Sequence, residues 1–184
     1  DLPEMVYIKR KVELTPQQKK YYKELKTRMV MQAAGEEVTA VNAAVNMNKL
    51  LQISAGAVYT DNGQALEFDI KHRYKVLMEA IQETSSKVLV FVPFKHTIGI
   101  LSRRLTSDGI SNAVIQGDVP VNKRTEIFRA FQEQSDPRVL VVQPAAASHG
   151  VTLTAANTVV WWAPTSSLET YLQANARIHR AGQK

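Results

Sequence analysis

The chain has 184 residues, enough for an α/β domain with a substantial core. It has no cysteine, which excludes a disulfide framework and a thiolate metal site, and His72, His96, His149 and His179 are scattered without ligand spacing, so no metal site is expected. Lys and Arg number 23 against 17 Asp and Glu, a net +6 that is compatible with nucleic acid without demanding it; no stretch has the length and apolarity of a membrane span, residues 5–10 are too mixed for a signal peptide, and an intracellular protein, cytoplasmic or nuclear, is expected.

Residues 6–14 alternate, with Val6, Ile8, Val12 and Leu14 apolar and Lys9, Arg10 and Lys11 among them, which predicts a strand. Thr15-Pro16 starts a helix, Thr15 as N-cap and Pro16 at the first position, with Tyr21, Tyr22, Leu25 and Met29 as its apolar stripe. A break follows at Gly35 to Glu37. Thr39 caps a second helix over 41–53, with Val41, Ala44, Val45, Leu50 and Leu51 at helical spacing and Gly56 as its end. Asp61-Asn62-Gly63 is a turn between the extended pieces 58–59 and 65–68. From His72 the pattern becomes regular: helix 72–84, strand 87–93, helix 95–106, strand 112–115, helix 121–134, strand 139–142, strand 158–162 and a final helix. Short apolar strands alternating with helices imply a parallel sheet covered on both faces. The organisation expected is a mainly helical N-terminal extension over 1–71 and an α/β domain over 72–184.

Residues 173–183 read as the last helix, closed by Gly182. At about 100° per residue, Gln173, Arg177 and Arg180 share one face, with Leu168, Tyr171 and Ile178 opposite. Such a helix could grip a polyanion such as a nucleotide triphosphate, or be an ordinary amphipathic helix whose arginines favour its negative end. The segment after strand 139–142 is rich in small residues, through Ser148, His149 and Gly150 to Thr152 and Thr154. In an open parallel sheet ligands bind at the carboxyl ends of strands, and this loop is placed at such an end. Ser148-His149 is no nucleophile–base pair, because adjacent side chains on an extended segment diverge and there is no G-x-S-x-G elbow. Phe128 and Phe131 are expected in the core, and Arg124 in a structural role with a carboxylate partner. Trp161 and Trp162 are read as packing residues, one of them lining a surface.

Gln173, Arg177, His179-Arg180 and Gly182-Gln183 resemble the last conserved motif of superfamily 2 helicases, in the form found in Swi/Snf-type DNA translocases. The His-Arg-x-Gly-Gln ending sets that form apart from RNA helicases. Gly150, Leu153, Thr154, Ala155, Ala156 and Asn157 resemble the same family's Gly-rich loop and following strand, with Ala147, Ser148 and Thr152 as departures where two glycines and an Asn are usual. Residues 88–97 resemble the motif that opens the second RecA-like lobe. Leu14-Thr15 to Tyr22 and Asn48 to Ser54 resemble the inter-lobe linker and the helix after it, so the likeness covers nearly the whole chain.

The resemblance implies the second RecA-like lobe of an ATP-dependent translocase on double-stranded DNA. It implies Arg180 as the arginine finger, Arg177 as a holder of phosphates, and Gln173 as the residue that positions the nucleotide or the attacking water. Gly150 and Thr152, with both arginines, would bind the nucleotide. Lys95, His96, Ser148, His149 and Thr154 would track one DNA strand. There is no G-x-x-x-x-G-K-[ST] loop and no Asp-Glu pair after an apolar strand. ATP with Mg2+ is therefore expected to be held mainly by a first RecA-like lobe, the partner of this one, and this chain alone is expected to be inactive. The alternatives are a non-catalytic nucleic-acid-binding module on a RecA-like fold, a lobe of another superfamily 2 RNA or DNA helicase, and a Rossmann-like cofactor enzyme, which lacks its G-x-G-x-x-G here.

Overall fold

A computed structural model describes residues 2–35, 39–147 and 151–182. The chain divides into two compact units, one of residues 10–76 and one of residues 1–9 with 77–184.

In the first unit, helix α1 (Pro16–Gly35) and helix α2 (Ala40–Ala55) precede a hairpin of β1 (Ala57–Tyr59) and β2 (Ala65–Glu67). Thr15 starts α1 through a capping box: its hydroxyl accepts from the Gln18 amide at 3.4 Å, and Gln18 Oε1 accepts from the Thr15 amide at 3.1 Å. Gln18 Nε2 also donates to the carbonyls of Ile53 and Ser54, so the start of α1 meets the end of α2 and the two run antiparallel. Thr39 caps α2 by accepting from the Asn42 amide at 3.2 Å, and Gly56 ends it at φ 128°, a conformation that favours glycine. The apolar stripe expected on α2 is only half buried in fact. Leu50 is in the core with Ile53 and Ala55, whereas Val41 and Val45 are 71% and 51% exposed. The first turns of α2 start at the Thr39 cap and leave Val41 and Val45 exposed, whereas its last turns carry the buried Leu50, Ile53 and Ala55.

The second unit begins within α3 (Lys71–Gln82), which crosses the boundary. It continues through β3 (Lys87–Phe91), α4 (Lys95–Ser107), β4 (Asn112–Ile115), α5 (Val121–Glu133), β5 (Val139–Val142), β6 (Ala156–Trp161) and α6 (Leu168–Asn175). The four strands form a parallel sheet in the order β4-β5-β3-β6. Alternation along the central strands faces two cores. Leu89, Phe91, Leu140 and Val142 pack with Phe128 and Phe131 of α5 and Ala174 of α6. Val88, Val90, Val139 and Val141 point the other way and are also fully buried, as are Ile98, Leu101 and Leu105 of α4. The RecA-like sheet with helices on both faces follows from those uninterrupted apolar strands.

Two expected elements differ. Residues 6–14 form no strand, and Val6, Tyr7 and Ile8 are 69–74% exposed. Alternation marks a strand only where a neighbouring strand supplies the ladder, and none pairs here. The final helix stops at Asn175 instead of running to Gln183, and Leu168, expected on its inner face, is 71% exposed.

Candidate functional site

The strands β3, β4 and β5 are parallel, so their carboxyl ends share one edge of the sheet. Lys95 opens α4 just after β3, and its Nζ lies 3.4 Å from Asp118 Oδ2 with both side chains about half exposed. The Asp118 carboxyl is held below its ordinary value, foremost by its own backbone amide; desolvation opposes this, and the Lys95 charge and hydrogen bond lower it further. Gln143, just after β5, accepts from the Gly117 amide at 3.1 Å. A Cβ on Gly117 would lie 4.0 Å from Lys95 Nζ, so the three loops converge. Arg124 is structural, but its partners are carbonyls and not a carboxylate: it donates to Val119 and to Gly117, each at 2.7 Å, and so shapes the loop that carries Asp118. His96 sits half-buried beside Lys95 on α4.

The loop after β5 starts at this edge, where Pro144–Ala147 make one 3-10 turn. Three of its expected site residues, Ser148, His149 and Gly150, lie outside the described residues. The loop then returns to the amino end of β6, because β6 is parallel to β3 and Ala156 stands beside Lys87. Only the beginning of the loop is therefore at the carboxyl edge. Thr154, expected to touch DNA, uses its hydroxyl to accept from Gln132 Nε2 of α5 at 2.9 Å, and Gln132 Oε1 accepts from the Ala155 amide at 3.1 Å. Nothing in the sequence pattern singles out Gln132, a polar residue on the solvent side of an amphipathic helix.

Both arginines lie beyond the end of α6, where Arg180 reaches Thr152. The helix gives way to tight turns, with Arg177 N bonding Ala174 O at 3.2 Å and Arg180 N bonding Ile178 O at 2.8 Å. The Arg177 carbonyl, which a continuing helix would bond four residues on, accepts instead from the Leu153 amide at 2.9 Å. Asn175 is likewise drawn aside, accepting from Trp161 Nε1 at 3.0 Å. Arg180 donates to the Ala176 carbonyl at 3.0 Å and to the Thr152 hydroxyl at 3.3 Å. Burial lowers the Arg177 pKa from its ordinary value, and the neighbouring charge of Arg180 lowers it further. Two like charges thus stand near each other, and the two groups to which Arg180 donates, the Ala176 carbonyl and the Thr152 hydroxyl, are neutral. An anion inserted there would relieve the repulsion and gain charge-assisted hydrogen bonds. Gln173 is not part of this cluster: it stays within α6 and donates to Glu169 Oε1 at 2.9 Å. The single face expected for Gln173, Arg177 and Arg180 required a helix that the Leu153 contact interrupts.

The aromatic residues around this turn are packing groups. Trp162 is buried, and half-buried Trp161 stacks between Phe91 and Tyr171, with centroids 4.7 and 5.0 Å apart. His179 Nε2 lies 2.9 Å from the Pro3 carbonyl, to which it donates. Gln183 lies outside the described residues. Among the described residues no group of three or more His, Cys, Asp or Glu side chains could hold a metal ion, and no helix is long and apolar enough to cross a membrane.

The profile of the helicase conserved C-terminal domain matches residues 72–182. An uncharacterized ATP-dependent helicase of Mycoplasma genitalium is 27% identical over 190 residues, covering all of this chain and 18% of that protein. A putative SWI/SNF-related matrix-associated actin-dependent regulator of chromatin, subfamily A member 3-like 1, of Arabidopsis thaliana is 35% identical over 116 residues, covering 59% of this chain and 13% of its own length. Among solved structures, the C-terminal part of the Fun30 ATPase domain superposes with a TM-score of 0.74 at 18% identity, covering 95% of this chain and 80% of that one. The Sulfolobus solfataricus SWI2/SNF2 ATPase core in complex with dsDNA gives 0.72 at 20% identity, covering 94% of this chain and 37% of that one. At such identities the two superpositions show the fold alone. The chain spans 18% or less of the curated relatives it matches.

Proposed function

The chain belongs to the helicase conserved C-terminal domain family, as a C-terminal lobe of Swi/Snf type, and from that we propose that it serves an ATP-dependent translocase on double-stranded DNA. The observation that carries the reading is Arg180 near the like charge of Arg177, with the Arg180 guanidinium donating to the neutral Ala176 carbonyl and Thr152 hydroxyl. This arrangement fits a nucleotide triphosphate at the face turned to a first lobe. Bound ATP would supply the phosphoryl group whose transfer drives motion. Arg180 would act as arginine finger, placing positive charge where the transferring phosphoryl group accumulates negative charge. Arg177 would hold the phosphates, and Thr152 would aim Arg180. Gln173 would reach the nucleotide or water only by leaving Glu169, so its role depends on closure of the lobes. Mg2+ would be held by acidic groups of the first lobe.

Lys95 and the first amides of α4 form the DNA side of the reading, since backbone N–H groups at a helix start and an exposed ammonium both suit a phosphate. Contacts to phosphates carry no sequence information, so binding should be weak, salt-sensitive and indifferent to sequence. ATP hydrolysis by the full-length protein, measured with and without duplex DNA, tests the proposal. Hydrolysis stimulated by duplex of any sequence is expected. Hydrolysis indifferent to duplex but stimulated by RNA would move the chain to another branch of the superfamily.

A further inference from the structure

Residues 9–28 hold eight Lys or Arg against two Glu, a net +6, which equals the net charge of the whole chain, so all other residues sum to zero. Most of this charge lies on α1. Lys19, Lys20, Lys23 and Lys26 fall on an arc of about 120° at helical spacing. Gln18, Tyr22, Leu25 and Met29, the buried and half-buried residues of the same helix, lie on the other side. The lysines are exposed, and Lys19 alone has an acidic partner among the described residues, an exposed Glu13 at 3.4 Å. From Lys19 to Lys26 the helix rises about 10 Å, so the ammonium groups form a short row of charges.

We propose that this face of α1 is a second contact for the sugar-phosphate backbone of duplex DNA, separate from the Lys95 loop of the sheet. A solvated helix needs charge for solubility, but mixed signs serve that purpose and would appear along the whole chain. Here eight cations are concentrated within residues 9–28, four of them on one face of α1, while the residues outside that stretch sum to zero, which is the electrostatic footprint of a polyanion surface. Four lysines at this spacing can each neutralise a phosphate and none reads a base, in keeping with a protein that must slide. The assignment rests on duplex DNA being the substrate proposed above.

The test uses the whole 184-residue chain. Binding of a labelled mixed-sequence duplex is followed by fluorescence anisotropy across a salt series for the unmodified chain, the triple variant K20Q/K23Q/K26Q and the triple variant K20R/K23R/K26R. The Gln variant should bind roughly ten- to a hundredfold more weakly at low salt, and its log–log salt slope should be shallower by about 2–3, the loss of three phosphate contacts. The Arg variant should keep the slope, and thermal unfolding should be the same for all three, because the lysines are exposed. Unchanged affinity and slope in the Gln variant would overturn the proposal; if Lys95→Gln weakens binding in the same series, the reading of the sheet loop stands and only the α1 contact falls. Failure of the unmodified chain to bind duplex at low salt would also overturn it, and duplex-stimulated ATP hydrolysis by the full-length protein then shows whether the DNA reading survives. Binding of polyglutamate that the Gln variant loses, with no duplex binding, would assign the face to an acidic protein and sink the proposal.

Discussion

Arg180 and Arg177 stand close enough to repel, and the local backbone keeps them so. Arg180→Ala in the full-length protein should lower duplex-stimulated kcat by about 10³ or more, the range for an arginine finger. Duplex affinity should change little, and Arg180→Lys should not restore turnover, because an ammonium lacks the planar fork. The fold should survive, since Arg180 is half exposed and the buried groups of this turn are Ala174 and Ile178. Steady-state ATPase assays beside thermal unfolding would check both claims; an unfolded variant whose folded fraction turns over normally would make Arg180 a structural residue. At the carboxyl edge the carboxylate of Asp118 competes for Lys95. Its pKa lies below the ordinary value, so it is ionised at neutral pH and its hold on Lys95 weakens only as pH falls through that lowered value. Asp118→Asn should therefore strengthen duplex binding about two- to fivefold at neutral pH, the scale of an exposed ion pair. A salt titration of the variant that shows no gain would mean that Lys95 does not reach the phosphates.

Among the elements, α1 and α2 are joined by one side chain. Gln18 is 4% exposed and satisfies the start of α1 through Thr15 and the end of α2 through the carbonyls of Ile53 and Ser54. Gln18→Ala strands these groups in the interior and should cost about 1–3 kcal/mol. Gln18→Glu keeps the acceptor for Thr15 but loses the donor to α2, so it should destabilise as well. A shift of the urea midpoint at unchanged slope would record the cost; no shift in either variant would show that water replaces the amide. The truncated α6 has the same kind of cause. The Arg177 carbonyl accepts the loop amide of Leu153, where a continuing helix would have offered it an amide four residues on.

For the molecule as a whole, the sheet core is the main source of stability. Phe131 is fully buried among Leu89, Phe91 and Leu140, and Phe131→Ala should cost about 3–5 kcal/mol in denaturant unfolding. A much smaller cost would mean that the neighbouring side chains collapse into the space. The chain contains the arginines but no phosphate-binding G-x-x-x-x-G-K-[ST] loop. Pure preparations of this chain alone should therefore hydrolyse ATP at background rate; sustained turnover that survives further purification would refute the two-lobe reading.

By itself the sequence determined the parallel sheet, the strands at 112–115 and 139–142, the caps at Thr15 and Thr39 and the turn at Gly63. It also determined the family, because the motif residues stand at readable spacings. These signals act over a few residues: alternation sets which face a strand buries, and a cap satisfies amides within one turn. Only the tertiary structure decided where α6 ends, that Gln173 parts from Arg177 and Arg180, that Thr154 turns to Gln132, that Arg124 holds carbonyls, and that residues 6–14 find no partner strand. Each of those outcomes is a competition for one hydrogen-bonding group between near and distant partners. Distance along the chain says nothing of which partner arrives, and the fold settles it.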